Sequence, residues 1–135
     1  MKTTIDIINI LWQRLNTSSL KTEISGEISK EPVFNSKLED VIINALAVLN
    51  IQYGPAVVNI NAFVPDIQIS RKGGQIGVQN TKRLNELAKL IMEILQDQWT
   101  AEYNYDVQQA LGPFKDEESG KHYMNIRIEF YLVNL

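Results

Sequence analysis

Apolar and polar side chains alternate along the carboxy-terminal stretch: Met124, Ile126, Ile128, Phe130 and Leu132 are interleaved with Tyr123, Asn125, Arg127, Glu129 and Tyr131. A period of two predicts a strand with one face in a core and the other in water. The alternation of Tyr103, Tyr105 and Val107 with Glu102, Asn104, Asp106 and Gln108 predicts a hairpin partner for it, joined through a loop from Gly112 to Lys121. A register with Val107 opposite Ile126 sets Asp106 opposite Arg127, a cross-strand pair worth a few tenths of a kcal/mol. Earlier in the chain Val58, Ile60, Ala62 and Val64 alternate with Asn59 and Asn61, and Pro65, which lacks a backbone donor, ends that strand. The nearly continuous apolar run from Glu39 to Leu49 is rich in β-branched residues and favours a central strand, although periodicity alone leaves a helix open there. A turn at Gln52–Pro55 follows it. A short alternating segment from Glu23 to Ser29 comes before it, with Ile24 and Ile28 flanking Gly26.

The period changes in two places. Ile5, Ile8, Leu11, Trp12 and Leu15 recur at helical spacing behind Thr3, an N-cap residue, with Asp6 in the first turn where a carboxylate suits the helix dipole. This predicts a helix over 4–17, ended by the hydrogen-bonding side chains of Asn16 to Ser19. A second helix carries Leu84, Leu87, Ala88, Ile91, Ile94 and Leu95 on one face, and burying its large side chains contributes on the order of 10 kcal/mol before entropy is counted. Residues 66–80 lie between sheet and helix and hold Gly73, Gly74 and Gly77 with the apolar pairs Ile67/Ile69 and Ile76/Val78. That is long for a bland connection and reads as a protruding arm or hairpin. The expectation is an α+β fold, an antiparallel or mixed sheet of about five strands with two helices on one face, in the order α-β-β-β-α-β-β.

At 135 residues the chain fits one domain, burying roughly two thirds of its unfolded surface. With no Cys and one His, disulfides, thiolate metal sites, a cysteine nucleophile and a multi-histidine zinc site are all excluded. A formal net charge of -3 favours neither nucleic acid nor an acidic substrate. The first helix carries Asp6, Asn9, Gln13 and Arg14 within its apolar pattern, unlike a signal peptide, and no apolar run approaches the ~18 residues of a membrane span, so a soluble protein is expected.

Catalytic chemistry is sparse, and no catalytic, cofactor or metal residues are assigned. The run Lys72-Gly73-Gly74-Gln75-Ile76-Gly77 fits neither phosphate-loop spacing and reads as a flexible tip. Pro65-Asp66 resembles the start of a metal-dependent nuclease signature, but the carboxylate-x-lysine triplet is missing. His122 has no nameable partner in the sequence and reads as a surface or hairpin-anchoring residue. Asp116, Glu117 and Glu118 read as a solvated hairpin tip rather than a cation site. Arg71, Lys72, Lys82 and Arg83 form the basic concentration of the chain: a solvated arm, a partner surface or, without interleaved aromatics, least of all a nucleic-acid contact. A ligand-binding module using the polar sheet face would need a concave pocket.

The phrases Glu39-Asp40-Val41-Ile42-Ile43-Asn44, Val57-Val58-Asn59-Ile60-Asn61-Ala62-Phe63-Val64-Pro65-Asp66 and Leu84-Asn85-Glu86-Leu87-Ala88-Lys89-Leu90-Ile91, with a closing strand after Gly120-Lys121-His122, together resemble the tail completion, or tail terminator, proteins of tailed phages and prophages. The likeness is one of layout over nearly the whole chain. It implies a non-enzymatic structural protein, without cofactor, that assembles into a ring capping the tail tube and meets tail-tube and head-connector proteins. It also implies residence in the host cytoplasm during assembly and then in the virion tail. The alternative is a small metal-dependent nuclease or nucleic-acid-binding protein of a mobile element. For assembly, the charges themselves nominate Arg71 and Lys72, with Lys82 and Arg83 nearby, meeting Asp116, Glu117 and Glu118 of a neighbouring copy.

Overall fold

A computed structural model describes residues 3–33, 35–45, 56–100 and 102–132. Helix α1 (Thr4–Asn16) starts with a complete capping box: the Asp6 amide donates to Thr3 Oγ1 at 3.2 Å, and the Thr3 amide donates to Asp6 Oδ2 at 2.8 Å. It buries Ile7, Leu11 and Leu15, while Ile5, expected on the core stripe, is 70 % exposed. Ile8 and Trp12 pack at the margin, so the buried face is centred one position away from the expected stripe. Thr17 Oγ1 donates to the Gln13 carbonyl at 2.7 Å, which ends the helix by the anticipated competition for backbone groups.

The remaining elements are α2 (Leu20–Glu23), β1 (Ile28–Ser29), β2 (Asp40–Ala45), β3 (Ala56–Val64), β4 (Ile67–Arg71), β5 (Gly74–Val78), α3 (Thr81–Leu95), β6 (Gln98–Trp99), β7 (Tyr103–Lys115) and β8 (His122–Leu132). The main sheet is mixed, in the order β1-β2-β3-β8-β7-β6; β1 runs parallel to β2 and every other pairing is antiparallel. Strands β4 and β5 form a separate two-stranded sheet. The α+β expectation holds, whereas the expected order α-β-β-β-α-β-β does not. Among the described residues there are three helices, a six-stranded sheet and a two-stranded one. Of the segment Glu23–Ser29, expected as a strand, only the two residues of β1 form one; Glu23 closes the single turn of α2 that precedes it. The far part of the run to Leu49 and the turn at Gln52–Pro55 lie outside the described residues.

Two differences in the β7–β8 hairpin have a common cause. Val107 pairs with Ile128 and Asp106 with Glu129, two residues from the expected register, because β7 continues through the stretch expected as loop and carries irregularities between Val107 and Gln109 and between Leu111 and Phe114. Each inserts an extra residue. A shift of two preserves the faces, so the core assignment survives. The expected Asp106–Arg127 pair is replaced by two carboxylates placed opposite each other.

The core lies between α1 and α3 and one face of the sheet. Val41, Ile43, Val58, Ile60, Ala62, Ile126, Ile128 and Phe130 meet Leu84, Leu87, Ile91 and Leu95 there, all buried. Tyr105 stacks on Phe130 with centroids 5.6 Å apart and donates its hydroxyl to the Leu95 carbonyl at 2.6 Å. Burial pushes its phenol up to about 12. Arg14 reaches the same helix end, donating to the carbonyls of Ile94 at 2.9 Å and Leu95 at 3.1 Å, groups that the helix itself leaves unpaired. No described helix is long and apolar enough to cross a membrane.

Candidate functional site

Strand β3 ends at Val64, and through Pro65 and Asp66 the chain leaves the main sheet for the separate β4–β5 pair. Asp66 Oδ1 lies 2.6 Å from His122 Nδ1, with the two side chains only 11 % and 15 % exposed. His122 thereby has the partner that sequence could not supply and anchors the arm, 56 positions from Asp66 in the chain. The nuclease candidate Asp66 is engaged in this contact. No three His, Asp or Glu side chains gather as a cation cage among the described residues.

Beyond the anchor the arm is a regular hairpin, with Ile67 opposite Val78, Ile69 opposite Ile76 and Arg71 opposite Gly74. Its two-residue turn places Gly73 at φ 101°, which L side chains adopt only with strain. Arg71 and Lys72 stand exposed at this tip, without an ion-pair partner among the described residues. Asp116, Glu117 and Glu118 stand at the other tip, between β7 and β8. The Asp116 amide donates to the Lys121 carbonyl at 2.8 Å and Ser119 Oγ to Asp116 Oδ2 at 2.6 Å, shaping the turn. Glu117 and Glu118 project into solvent. A cleft of about 270 Å³ separates this tip from Val33, Asn35, Ser36 and Lys37.

The acidic tip is fixed to the domain by Lys121. Lys121 Nζ lies 3.1 Å from Asp40 Oδ2 and 2.6 Å from the Leu38 carbonyl, with side chains 6 % and 3 % exposed for Lys121 and Asp40. Asp40 Oδ1 also accepts from the Glu27 amide at 3.0 Å. Burial pushes the Asp40 carboxyl upward, but hydrogen bonds from Ser36, Glu27 and Lys121 outweigh it and hold the group below its ordinary value. Gly26 packs against this carboxylate so closely that a Cβ would run into Asp40 Oδ1 and the Glu39 carbonyl.

The four basic candidates therefore separate. Arg71 and Lys72 are exposed at the hairpin tip and form no ion pair among the described residues. Lys82 is 89 % exposed and 4.0 Å from Glu86, a loose contact of little consequence. Arg83 is committed within the chain: its guanidinium donates to Glu39 at 2.6 and 3.0 Å and to the Glu23 carbonyl at 2.6 Å, joining the start of α3 to the approach to β2 and the end of α2. Its bonds to Glu39 raise its already high pKa further.

The open sheet face carries a small amide cluster. Asn125 Nδ2 donates to Asn61 Oδ1 at 2.8 Å and Asn59 Oδ1 at 3.2 Å. Beside it the rings of Phe63, Tyr123 and Phe114 form a row with centroids 4.8 and 5.5 Å apart. With Asn44 these amides and two of the rings, Tyr123 and Phe114, border a hollow of about 300 Å³. It is shallow and neutral, and presents no nucleophile with an adjacent base. No protein-family model matches the chain, and no curated protein sequence matches it significantly.

Proposed function

We propose that the chain is a non-enzymatic structural protein of a phage or prophage tail that completes or terminates the tail tube at the head–tail junction by ring assembly. The observation that carries this reading is the β4–β5 hairpin, a regular two-stranded element standing outside the main sheet with Ile67 and Ile76 about half exposed. An isolated hairpin of this kind is marginal in water and is suited to completion by a partner. The charges at the two tips are complementary, positive at Arg71 and Lys72 and negative at Asp116, Glu117 and Glu118, as a head-to-tail contact between copies requires. The layout resemblance to tail completion proteins supplies the biological setting, with tail-tube and head-connector proteins as further partners.

Adjacent genes for portal, capsid or tail-tube proteins would support this reading. Electron microscopy of the chain co-expressed with a tail-tube protein from the same locus tests it: closed rings are expected, rings weakened by Arg71→Glu with Lys72→Glu and restored when Asp116, Glu117 and Glu118 are changed to Lys. Cleavage of plasmid DNA with a divalent metal, abolished by Asp66→Ala, would replace it with the nuclease alternative.

A further inference from the structure

The β4–β5 hairpin is apolar on one side only. Directly opposed residues of a strand pair share a face, as do residues two apart, so Ile67, Ile69, Ile76 and Val78 lie together, and Gln68, Ser70, Gln75 and Gly77 lie on the reverse. Ile67 and Ile76 remain 45 % and 50 % exposed. A contiguous exposed apolar strip on a small element marks a contact surface.

A second such strip lies on β7. Strand β6 pairs only with Asn104 and Tyr105, so the outer edge of β7 beyond them has no strand partner among the described residues. Along that unpartnered stretch Leu111 and Phe114 rise on the open sheet face, opposite Asn125 and Tyr123, and are 45 % and 43 % exposed. The strand then runs directly into Asp116, Glu117 and Glu118.

The two strips match in order and length. On the hairpin, Ile67 precedes the basic tip at Arg71 by four strand steps, or roughly 13 Å at 3.3 Å per residue. On β7, Leu111 precedes Asp116 by five residues, one of them taken up by the irregularity between Leu111 and Phe114, which again leaves roughly 13 Å. Each surface is an apolar pair followed by charge, and the charges have opposite sign. The chain thus presents two surfaces of complementary order and charge, and among the described residues Arg71 and Lys72 make no ion pair.

We infer that the apolar face of the β4–β5 hairpin of one copy packs on the Leu111–Phe114 ridge of a second copy, with Arg71 and Lys72 meeting the second copy's acidic tip. The inference rests on the assembly reading above and deepens it by naming the contact; the contact itself is indifferent to whether the copies close as a ring or as a reciprocal pair.

The natural chain contains no cysteine, so thiols introduced singly report only the geometry being tested. Ile76→Cys and Phe114→Cys proteins, prepared separately, are mixed at about 1 mM chain, where a contact with a Kd of about 1 mM is substantially occupied, and oxidised. Proximity in the contact raises the effective thiol concentration, so the mixed disulfide should exceed that formed by Ile76→Cys with Lys89→Cys, on an exposed position of α3, roughly tenfold. Adding Arg71→Glu and Lys72→Glu to the Ile76→Cys protein should remove the preference, and acidic-to-lysine changes at the tip of the Phe114→Cys protein should return it. Equal yields for the Phe114 and Lys89 pairings would overturn the inference. Rings that form without the Ile76–Phe114 preference would leave the assembly reading standing and this contact rejected; the preference in a particle that never exceeds two copies would do the reverse.

Discussion

Replacing Lys121 by methionine removes one charge from a pair that water barely reaches. Lys121 Nζ is 3.1 Å from Asp40 Oδ2, and the side chains are 6 % and 3 % exposed. Truncating one partner of a buried pair typically costs about 3–5 kcal/mol, because the remaining charge is stranded. Asp40 keeps the Glu27 amide and the Ser36 hydroxyl, so the loss belongs near the lower end, about 3 kcal/mol from a total stability of about 5–15. Urea unfolding at neutral pH, followed by circular dichroism, measures it. Adding Asp40→Asn to Lys121→Met removes the stranded charge while leaving an acceptor for the Glu27 amide, and should recover all but about 1 kcal/mol. The pH dependence has a defined sign. Because the folded Asp40 carboxyl lies below its unfolded value of 3.8, its contribution is complete above that value and is lost as pH falls through the folded one. The deficit of Lys121→Met should therefore narrow as pH drops below the unfolded value. A cost under about 1 kcal/mol, as for an exposed pair, or a deficit constant with pH, would refute this reasoning.

Three further outcomes follow from the packing. Gly26→Ala should destabilise by about 2 kcal/mol or more in the same unfolding assay, because its Cβ would collide with Asp40 Oδ1 and the Glu39 carbonyl. In alkaline spectrophotometric titration, the Tyr105 phenol should ionise at about 12; with its folded pKa above the unfolded 10.0, stability falls as pH rises between the two, and Tyr105→Phe should remove that slope. Ile128→Ala, which empties a fully buried position, should cost about 2–5 kcal/mol, whereas Ile76→Ser on the exposed hairpin face should change stability by less than about 0.5 kcal/mol while weakening association.

Legibility in the sequence tracked length and periodicity. Helix α3 was readable because Leu84, Leu87, Ala88, Ile91 and Leu95 recur over about three turns, and β8 because its alternation is unbroken. Strands β1 and β6 are two residues each, too short to show a period, and are defined only by their pairing with β2 and β7 at the two edges of the sheet. Gly112 and Pro113 read as loop formers but sit inside β7, where an edge strand tolerates a missing donor and a local irregularity. That misreading also displaced the hairpin register. At the candidate surface the two charged tips were visible because each interrupts an alternating pattern. The contacts that orient them were not: Lys121 meets Asp40 across 81 positions and His122 meets Asp66 across 56, and only the folded sheet brings such residues together. Arg83 was indistinguishable from Lys82 in sequence, yet its fork-shaped guanidinium reaches Glu39 and the Glu23 carbonyl together, a geometry an ammonium does not match.

Sedimentation velocity of the natural chain beside a variant in which residues 67–78 are replaced by a short Gly-Ser turn, each co-expressed with the tail-tube protein, tests the central claim most directly. Multi-copy particles are expected for the natural chain, and monomers of unchanged thermal stability for the variant. Particles of the same mass from both proteins would contradict the account.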